Sequence, residues 1–199
     1  MKKLSLLFIL SGILILAYGG FQWLETERAQ KESLAEAKEL TLSPTEKSDS
    51  LSSADFAPEI GETIGILHIP KLESDLPIVE GTDEDELEKG VGHYRGTAFP
   101  GQGEQIVLSG HRDTVFRRMG ELELGDKFTV KLPYGEFSYE IVDTKIVSAD
   151  DRTVIKPQGK EVLTVTTCYP FRFIGNAPDR YIITALPINK DDISMNNKY

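Results

Sequence analysis

The sequence predicts an all-β domain, either a sandwich or a barrel, that follows one N-terminal apolar helix. From about residue 59 onward, short runs of β-branched and apolar residues alternate with turns rich in Pro, Gly and Asp. This spacing is typical of all-β domains. The first 24 residues instead hold one long uncharged apolar segment. The single cysteine among 199 residues excludes an intrachain disulfide framework and any multi-cysteine metal site.

The N-terminal segment has the length and flanking charges of a membrane anchor. Leu4–Leu24 contains no charged residue, and as a helix it covers about 30 Å, the thickness of a bilayer core. Lys2 and Lys3 precede it and Glu25 follows it, so the positive-inside rule places the N-terminus in the cytoplasm. We therefore predict that residues 1–24 form a single-pass anchor at the cell membrane, with the rest of the chain on the extracytoplasmic face.

A cleaved signal peptide is the alternative interpretation of this segment. Its apolar region would be Leu4–Leu16, with a weak small-x-small site at Ala17-Tyr18-Gly19. The apolar stretch continues past that site, which favours an uncleaved anchor. Both interpretations export the remainder of the chain.

A polar segment separates the anchor from the β-rich region. Residues 25–58 contain eight acidic and four basic side chains and few large apolar ones. Glu25–Leu40 has the pattern of a solvated helix, and Ser43–Ser53 is a Ser-rich stretch typical of a flexible spacer. We predict a flexible extracytoplasmic linker over 25–58 and one folded domain over 59–199.

Seven strands and two short helical segments are predicted in that domain. The strands are Ile64–Ile69, Pro77–Val79, Gln105–Ser109, Lys127–Leu132, Phe137–Val147, Val162–Thr167 and Tyr181–Leu186. A short helix is expected over Asp83–Lys89, because Thr82 can cap its start and Gly90 ends it. A helical turn is expected over Val115–Met119.

Three side chains are candidates for covalent chemistry. Cys168 directly follows the Val162–Thr167 strand, where a strand end can present a thiol to a cleft. A lone thiol in an exported protein is unusual unless it is used or buried, and a small buried hydrophobe is the alternative. His111 follows Gly110 at the exit of another strand and can serve as the base or ion-pair partner of a thiol. Arg180 opens the next strand, where its fixed donors can bind an oxyanion or a peptide carbonyl.

Other residues compete for these roles. His68 lies inside a β-rich run, where packing or surface exposure is the simpler role. His93 lies in a glycine-rich loop, and its spacing in the sequence does not exclude it as the partner of the cysteine. Arg172 lies in the loop between Cys168 and Arg180 and should be held less firmly. No two histidines have metal-ligand spacing, so no histidine-rich zinc site is expected.

These motifs together resemble the sortase family. They are Ser109-Gly-His-Arg-Asp-Thr114, Thr164-Val-Thr-Thr-Cys168 and Arg180 at the head of the last long strand. Sortases are membrane-anchored cysteine transpeptidases of Gram-positive bacteria, and this chain is most similar to their class D branch. The family's cysteine motif is usually Thr-Leu-x-Thr-Cys, and Val165 replaces the leucine here.

The resemblance implies a closed sortase-type β-barrel of about eight strands with short helices. It also implies that Cys168 attacks the threonine carbonyl of an LPXTG-like sorting signal, LPNTA-like in class D, to form a thioester. An amine of peptidoglycan or its lipid-linked precursor, of the diaminopimelate type, would then resolve this acyl-enzyme. His111 would act as general acid and base, and Arg180 would stabilise the oxyanion.

The remaining expectations concern ligands and partners. Thr167 and Tyr169, which flank the cysteine, and His93 are predicted to contact substrate. No metal or organic cofactor is expected. The acidic stretch Asp83–Glu88 has two interpretations, a calcium site that stimulates the enzyme and a solvated helix, and the solvated helix is favoured. Surface proteins with C-terminal sorting signals are the expected partners.

The net charge of −10 argues against nucleic acid as a further partner. Two other functions stay open at this point. One is a secreted cysteine peptidase that hydrolyses the same type of peptide, and the other is a non-enzymatic anchored β domain with a buried thiol.

Overall fold

The computed structural model of the chain describes residues 2–42, 52–172, 175 and 177–188. Most of the predicted spacer Ser43–Ser53, and the end of the predicted domain beyond residue 188, lie outside the described residues. The two α-helices are α1 (Lys2–Leu42) and α2 (Glu84–Lys89). The strands are β1 (Thr63–Ile69), β2 (Ser74–Glu80), β3 (Val91–His93), β4 (Gln105–Gly110), β5 (Lys127–Leu132), β6 (Gly135–Ser148), β7 (Val162–Tyr169) and β8 (Asp179–Pro187). Short 3₁₀ turns lie at Pro70–Leu72, Met119–Glu121 and Arg152–Val154.

The strands form one closed barrel, which confirms the predicted fold class. Their order around the barrel is β1-β2-β3-β4-β7-β8-β6-β5, and β5 pairs with β1 to close it. The β2–β3 and β4–β7 pairs are parallel, and the other pairs are antiparallel. Closure leaves no free sheet edge within the barrel.

The interior of the barrel is filled by apolar side chains. Leu67, Phe128, Leu163 and Ile183 are completely buried at its centre. Since side chains alternate along a strand, every second residue of a strand points outward instead. The barrel core therefore leaves its outer face, and the loops at its ends, as the places for a binding site.

One local feature differs from the expected elements. β3 was not predicted, because a strand of three residues with a central glycine gives no recognisable pattern. The predicted turn at Val115–Met119 is present as hydrogen-bonded turns, in which the Arg117 N–H donates to the Thr114 carbonyl (3.3 Å) and the Met119 N–H to the Phe116 carbonyl (3.1 Å). A 3₁₀ turn begins at its last residue. α2 forms as expected, and Asp83 and Glu86 make a capping box at its start.

The first helix extends far beyond the apolar segment and packs against the barrel. α1 contacts β1, β2 and α2. Ser33 and Ala37, one turn apart, are buried in this contact, and their small side chains let the helix approach closely. The helix predicted over Glu25–Leu40 is therefore present as part of α1, but it is docked on the barrel and not solvated within a flexible linker. Among the described residues, α1 is the helix long and apolar enough to cross a membrane.

Candidate functional site

A cavity of about 800 Å³ opens on the outer face of β4, β7 and β8. Cys168, His111 and Arg180, the three residues singled out by sequence, all line it. Tyr94, which belongs to the region Val91–Phe99 predicted to form part of the substrate groove, also lines it, and so does Arg152, which was not predicted. The structure thus brings a thiol, an imidazole and a guanidinium group to one concave surface.

The pairing of β7 with β8 sets the thiol opposite the guanidinium group. The Cα atoms of Cys168 and Arg180 are direct partners in this antiparallel pair. Directly opposed residues point to the same face of a sheet, with Cβ atoms about 4.5–5.5 Å apart. The Cys168 side chain is half-buried, so its sulfur remains open to the cavity.

The imidazole reaches the same place through the parallel pairing of β4 with β7. Gly110 is the Cα partner of Thr167, so His111 leaves β4 beside the end of β7 that carries Cys168. The Thr167 hydroxyl donates a 2.7 Å hydrogen bond to the Gly110 carbonyl and joins the two strands. A Cβ at Gly110 would lie 2.6 Å from the Phe116 ring, so this exit needs glycine.

The guanidinium group of Arg180 is held at one nitrogen. Its Nη1 donates hydrogen bonds to the carbonyls of Asp179 (3.0 Å) and Ala177 (3.3 Å). Nε and Nη2 make no hydrogen bond to the described residues and are therefore free to donate to a ligand. A guanidinium fixed in this way can stabilise a negative oxygen that develops beside the Cys168 sulfur.

Arg112 joins the histidine segment to the loop that follows the cysteine. Its Nη1 donates to the Pro170 carbonyl (3.1 Å), and its Nη2 donates to the Gly175 carbonyl (2.7 Å). This role was not predicted, because nothing in the pattern around Arg112 shows which loop it will face.

The three residues predicted to contact substrate occupy different surroundings. Thr167 lines the cavity, but its hydroxyl is committed to β4. Tyr169 packs with Phe171 and Tyr181, at ring-centroid distances of 5.5 and 6.2 Å, and does not line the cavity.

His93 lies away from the cavity as well. It is buried, with Nδ1 2.6 Å from the Glu80 carboxylate and Nε2 3.0 Å from the Ala98 carbonyl. Its ring stacks on Phe99. The glycine-rich loop that left its role open in the sequence folds into β3, inside the barrel wall.

Charged groups on the loop between β6 and β7 complete one wall of the cavity. Arg152 and Asp151 both line it. Hydrogen bonds from the Thr153 hydroxyl and backbone N–H hold the pKa of Asp151 below its usual range. Arg152 has no ion-pair partner among the described residues, so it remains available to an anionic group.

The described residues contain no group of three or more His, Cys, Asp or Glu side chains that could hold a metal ion. In the acidic stretch Asp83–Glu88, the Glu86 carboxylate accepts a hydrogen bond from the Asp83 N–H. That carboxylate therefore serves the start of α2.

Comparisons with known proteins agree with this geometry. A family model described as the sortase domain matches residues 67–188. The chain is 54% identical over 192 residues to Sortase D of Bacillus subtilis (strain 168), covering 92% of this chain and 97% of the relative.

Solved structures are similar too. A Clostridium perfringens Sortase D5 transpeptidase aligns with a TM-score of 0.69 and 29% identity, covering 81% of this chain and 99% of that one. Sortase C1 from Streptococcus suis aligns with a TM-score of 0.58 and 29% identity, covering 65% and 74%. The family match spans more than half of the chain and the Bacillus relative almost all of it, so the chain belongs to the sortases, the cysteine transpeptidases of the cell surface.

Proposed function

We propose that this sortase cleaves an LPXTG-like sorting signal, LPNTA-like in detail, after its threonine and transfers the acyl part to a cell-wall amine. The observation that carries the proposal is the placement of Cys168, His111 and Arg180 around one cavity, with the thiol and the guanidinium directly opposed across two strands.

In the first half-reaction, the Cys168 sulfur attacks the threonine carbonyl as a thiolate. The carbonyl oxygen becomes an oxyanion, and Arg180 stabilises it through its free guanidinium donors. Collapse of this intermediate breaks the peptide bond and leaves a thioester. Protonated His111 gives its proton to the departing amine, which is the N-terminus of the released segment.

In the second half-reaction, the acceptor amine attacks the thioester carbonyl. His111, now neutral, takes the proton from the attacking nitrogen. Collapse of the second intermediate forms an amide bond and releases the Cys168 thiolate. The amine of a diaminopimelate-type peptide in peptidoglycan or its lipid-linked precursor is the proposed acceptor. This sequence of steps needs no metal or organic cofactor.

We further propose that residues 1–24 anchor the enzyme in the membrane, with its N-terminus in the cytoplasm. The lysines before the apolar segment and the acidic residues after it support this orientation. Surface proteins with C-terminal sorting signals are then its protein substrates. Mass measurement of the mature chain tests the anchor, because loss of residues 1–19 would mean signal-peptide cleavage instead.

The decisive experiment traps the acyl-enzyme and measures its mass. The full chain is incubated with LPNTA-like and LPXTG-like peptides, first without and then with an amine acceptor. We expect a thioester adduct at Cys168 that disappears when the amine is added and that yields an amide product. A peptide series that gives no adduct would overturn the substrate class.

Matched variants assign the roles. Cys168→Ala abolishes the adduct, whereas Arg180→Ala and His111→Ala each slow its formation by about 10²–10⁴-fold. Arg172→Ala and His68→Ala remove the same side-chain types elsewhere and should leave the rate within about twofold. Equal losses in a catalytic variant and its matched control would contradict the assignment.

A further inference from the structure

A second pocket adjoins the catalytic cavity and carries a concentration of positive charge. This pocket, called here the lysine pocket, has a volume of about 340 Å³. Lys145, Lys156 and Lys160 line it, and no described acidic side chain does. It shares Val154 and Ile182 with the catalytic cavity, so the two pockets adjoin, and together they are called the trough here. This basic surface is notable in a chain with a net charge of −10.

The trough follows the outward face of β7. Cys168 and Thr166 line the catalytic cavity, and Thr164 and Val162 line the lysine pocket. These positions alternate along the strand and therefore point to the same side. At about 3.3 Å per residue, Thr164 lies about 13 Å along the strand from Cys168.

The loop that carries Lys156 and Lys160 is held firmly in place. The buried side-chain amide of Gln105 donates to the Val154 carbonyl (2.9 Å) and the Thr164 hydroxyl (2.9 Å). The Gln105 carbonyl oxygen accepts from the Lys156 backbone N–H (3.0 Å). The two lysines are thus presented at fixed backbone positions beside the trough.

The nearest glutamates are turned to other partners. Glu104 accepts hydrogen bonds from the backbone N–H groups of Gln158, Gln105 and Gly159, which hold its pKa below its usual range. Glu161 accepts from the Tyr139 hydroxyl (2.7 Å) and from backbone N–H groups of another loop. These bonds commit both carboxylates, although Glu104 sits against the backbone of the same loop that carries Lys156 and Lys160.

Three other carboxylates lie beside the pocket. Lys145 helps to hold the pKa of Asp151 low, but that carboxylate is bonded first to Thr153. Glu140 and Asp143 of β6 are the cross-strand partners of Leu186 and Thr184, which line the pocket, although neither carboxylate lines it itself. None of the three lysines is within ion-pair distance of a carboxylate among the described residues. Lys156 and Lys160, which are on the loop, therefore carry most of the unpaired charge.

We infer that the lysine pocket binds acidic side chains of the protein substrate, one to three residues upstream of its sorting signal. This inference rests on the proposed function, and it places the four residues before the cleaved bond in the catalytic cavity. An extended peptide of four residues spans about 13 Å, the same distance that separates Cys168 from the start of the pocket. The chain that continues upstream must then pass the two loop lysines.

The test compares donor peptides that differ only upstream of one LPNTA-like signal. Three residues directly before the signal are Asp, Ser or Lys, and acyl-enzyme formation is followed in single turnovers without acceptor. We expect the Asp peptide to reach half-saturation at a concentration about three- to tenfold lower than the Ser peptide, and the Lys peptide at a higher one. The maximal rate should be the same for all three, because the charges lie far from the reacting atoms. Raising the salt concentration should shrink the differences.

Charge reversal provides the control. The variant Lys156→Glu/Lys160→Glu should reverse the order of the three peptides, whereas Lys131→Glu, the same change at the far end of β5 beside Ile66 of β1 and outside the lining of both pockets, should preserve it. Equal half-saturation for all peptides, or an unchanged order in the double variant, overturns the inference while the proposed function stands. An effect of the double variant only on the concentration dependence of the amine would assign the pocket to the acceptor and overturn the inference too. Failure of every peptide to acylate Cys168 overturns both proposals.

Discussion

The buried pair of His93 and Glu80 is expected to stabilise the barrel, and the change His93→Leu tests this. The two side chains are 2% and 6% exposed, and their closest atoms are 2.6 Å apart. The second ring nitrogen faces the Ala98 carbonyl. The Thr97 hydroxyl lies 3.1 Å from the same nitrogen, so both ring nitrogens have hydrogen-bond partners.

Removal of one side chain leaves the other buried without its hydrogen-bond partner. Such a change typically costs about 1–3 kcal/mol, more than the replacement of both partners by apolar groups. His93→Leu and Glu80→Leu should therefore each lower the melting temperature by roughly 3–10 °C. The double variant should be more stable than the sum of the two losses predicts.

Thermal unfolding of the full chain in detergent measures these effects, and acylation is measured well below each melting temperature. His68→Leu is the matched control, because its 2.7 Å contact with Asp75 is partly exposed and worth about 0–1 kcal/mol. We expect His93→Leu to retain most of its acylation rate while folded. A variant with normal stability and lost acylation would refute the structural role and return His93 to the substrate site.

Three further predictions concern the strands and the loop that frame the site. Thr167→Val removes the hydrogen bond to the Gly110 carbonyl and should lower the free energy of unfolding in urea by about 1–3 kcal/mol. It should also change kcat more than KM. Thr184→Val is the control and should have neither effect. A larger loss with the Thr184 variant would contradict this. Gly110→Ala places a Cβ 2.6 Å from the Phe116 ring and should cost about 1–3 kcal/mol with a slower acylation, and a fully active, stable variant would disprove the crowding. The lowered pKa of Glu104 contributes stability that is present above its ordinary value of 4.5 and is lost as the pH falls through its lower folded value. Glu104→Gln should therefore reduce the loss of hydrogen-exchange protection that acid causes in the loop between β6 and β7. If protection falls with pH as steeply in the variant as in the unchanged protein, Glu104 does not stabilise this loop.

Much of the barrel could be predicted from local sequence patterns. The strand predicted over Lys127–Leu132 has the same first and last residues as β5, because apolar residues and turn signals mark both its ends. The docking of α1 could not be predicted, since its buried face carries Ser33 and Ala37 instead of large apolar groups. A helix face made of small residues has the sequence pattern of a solvated helix, and its burial becomes evident only when the surface that it packs against is known.

The candidate site also has one part that the sequence could predict and one that it could not. The proximity of Cys168 to Arg180 could be predicted, because they lie on consecutive strands and consecutive strands usually pair. The neighbourhood of Cys168 and His111 depends on the parallel pairing of β4 with β7, two strands far apart in the chain. No local pattern predicts that pairing, so before the structure only the family resemblance joined the histidine to the cysteine. The hydrogen bonds of Arg112 to the loop that follows Cys168 depend on the same pairing of β4 with β7.

The register of β7 decides whether the cysteine can react at all. Leu163 and Val165 belong to the hydrophobic core of the barrel, so the alternate positions, including Cys168, face outward. A slip of one residue would bury the thiol and expose Leu163 and Val165. Two apolar residues alternating with threonines already indicate this parity in the sequence. The Thr167 hydrogen bond to β4 then fixes the register at the end of the strand where the thiol must meet its histidine.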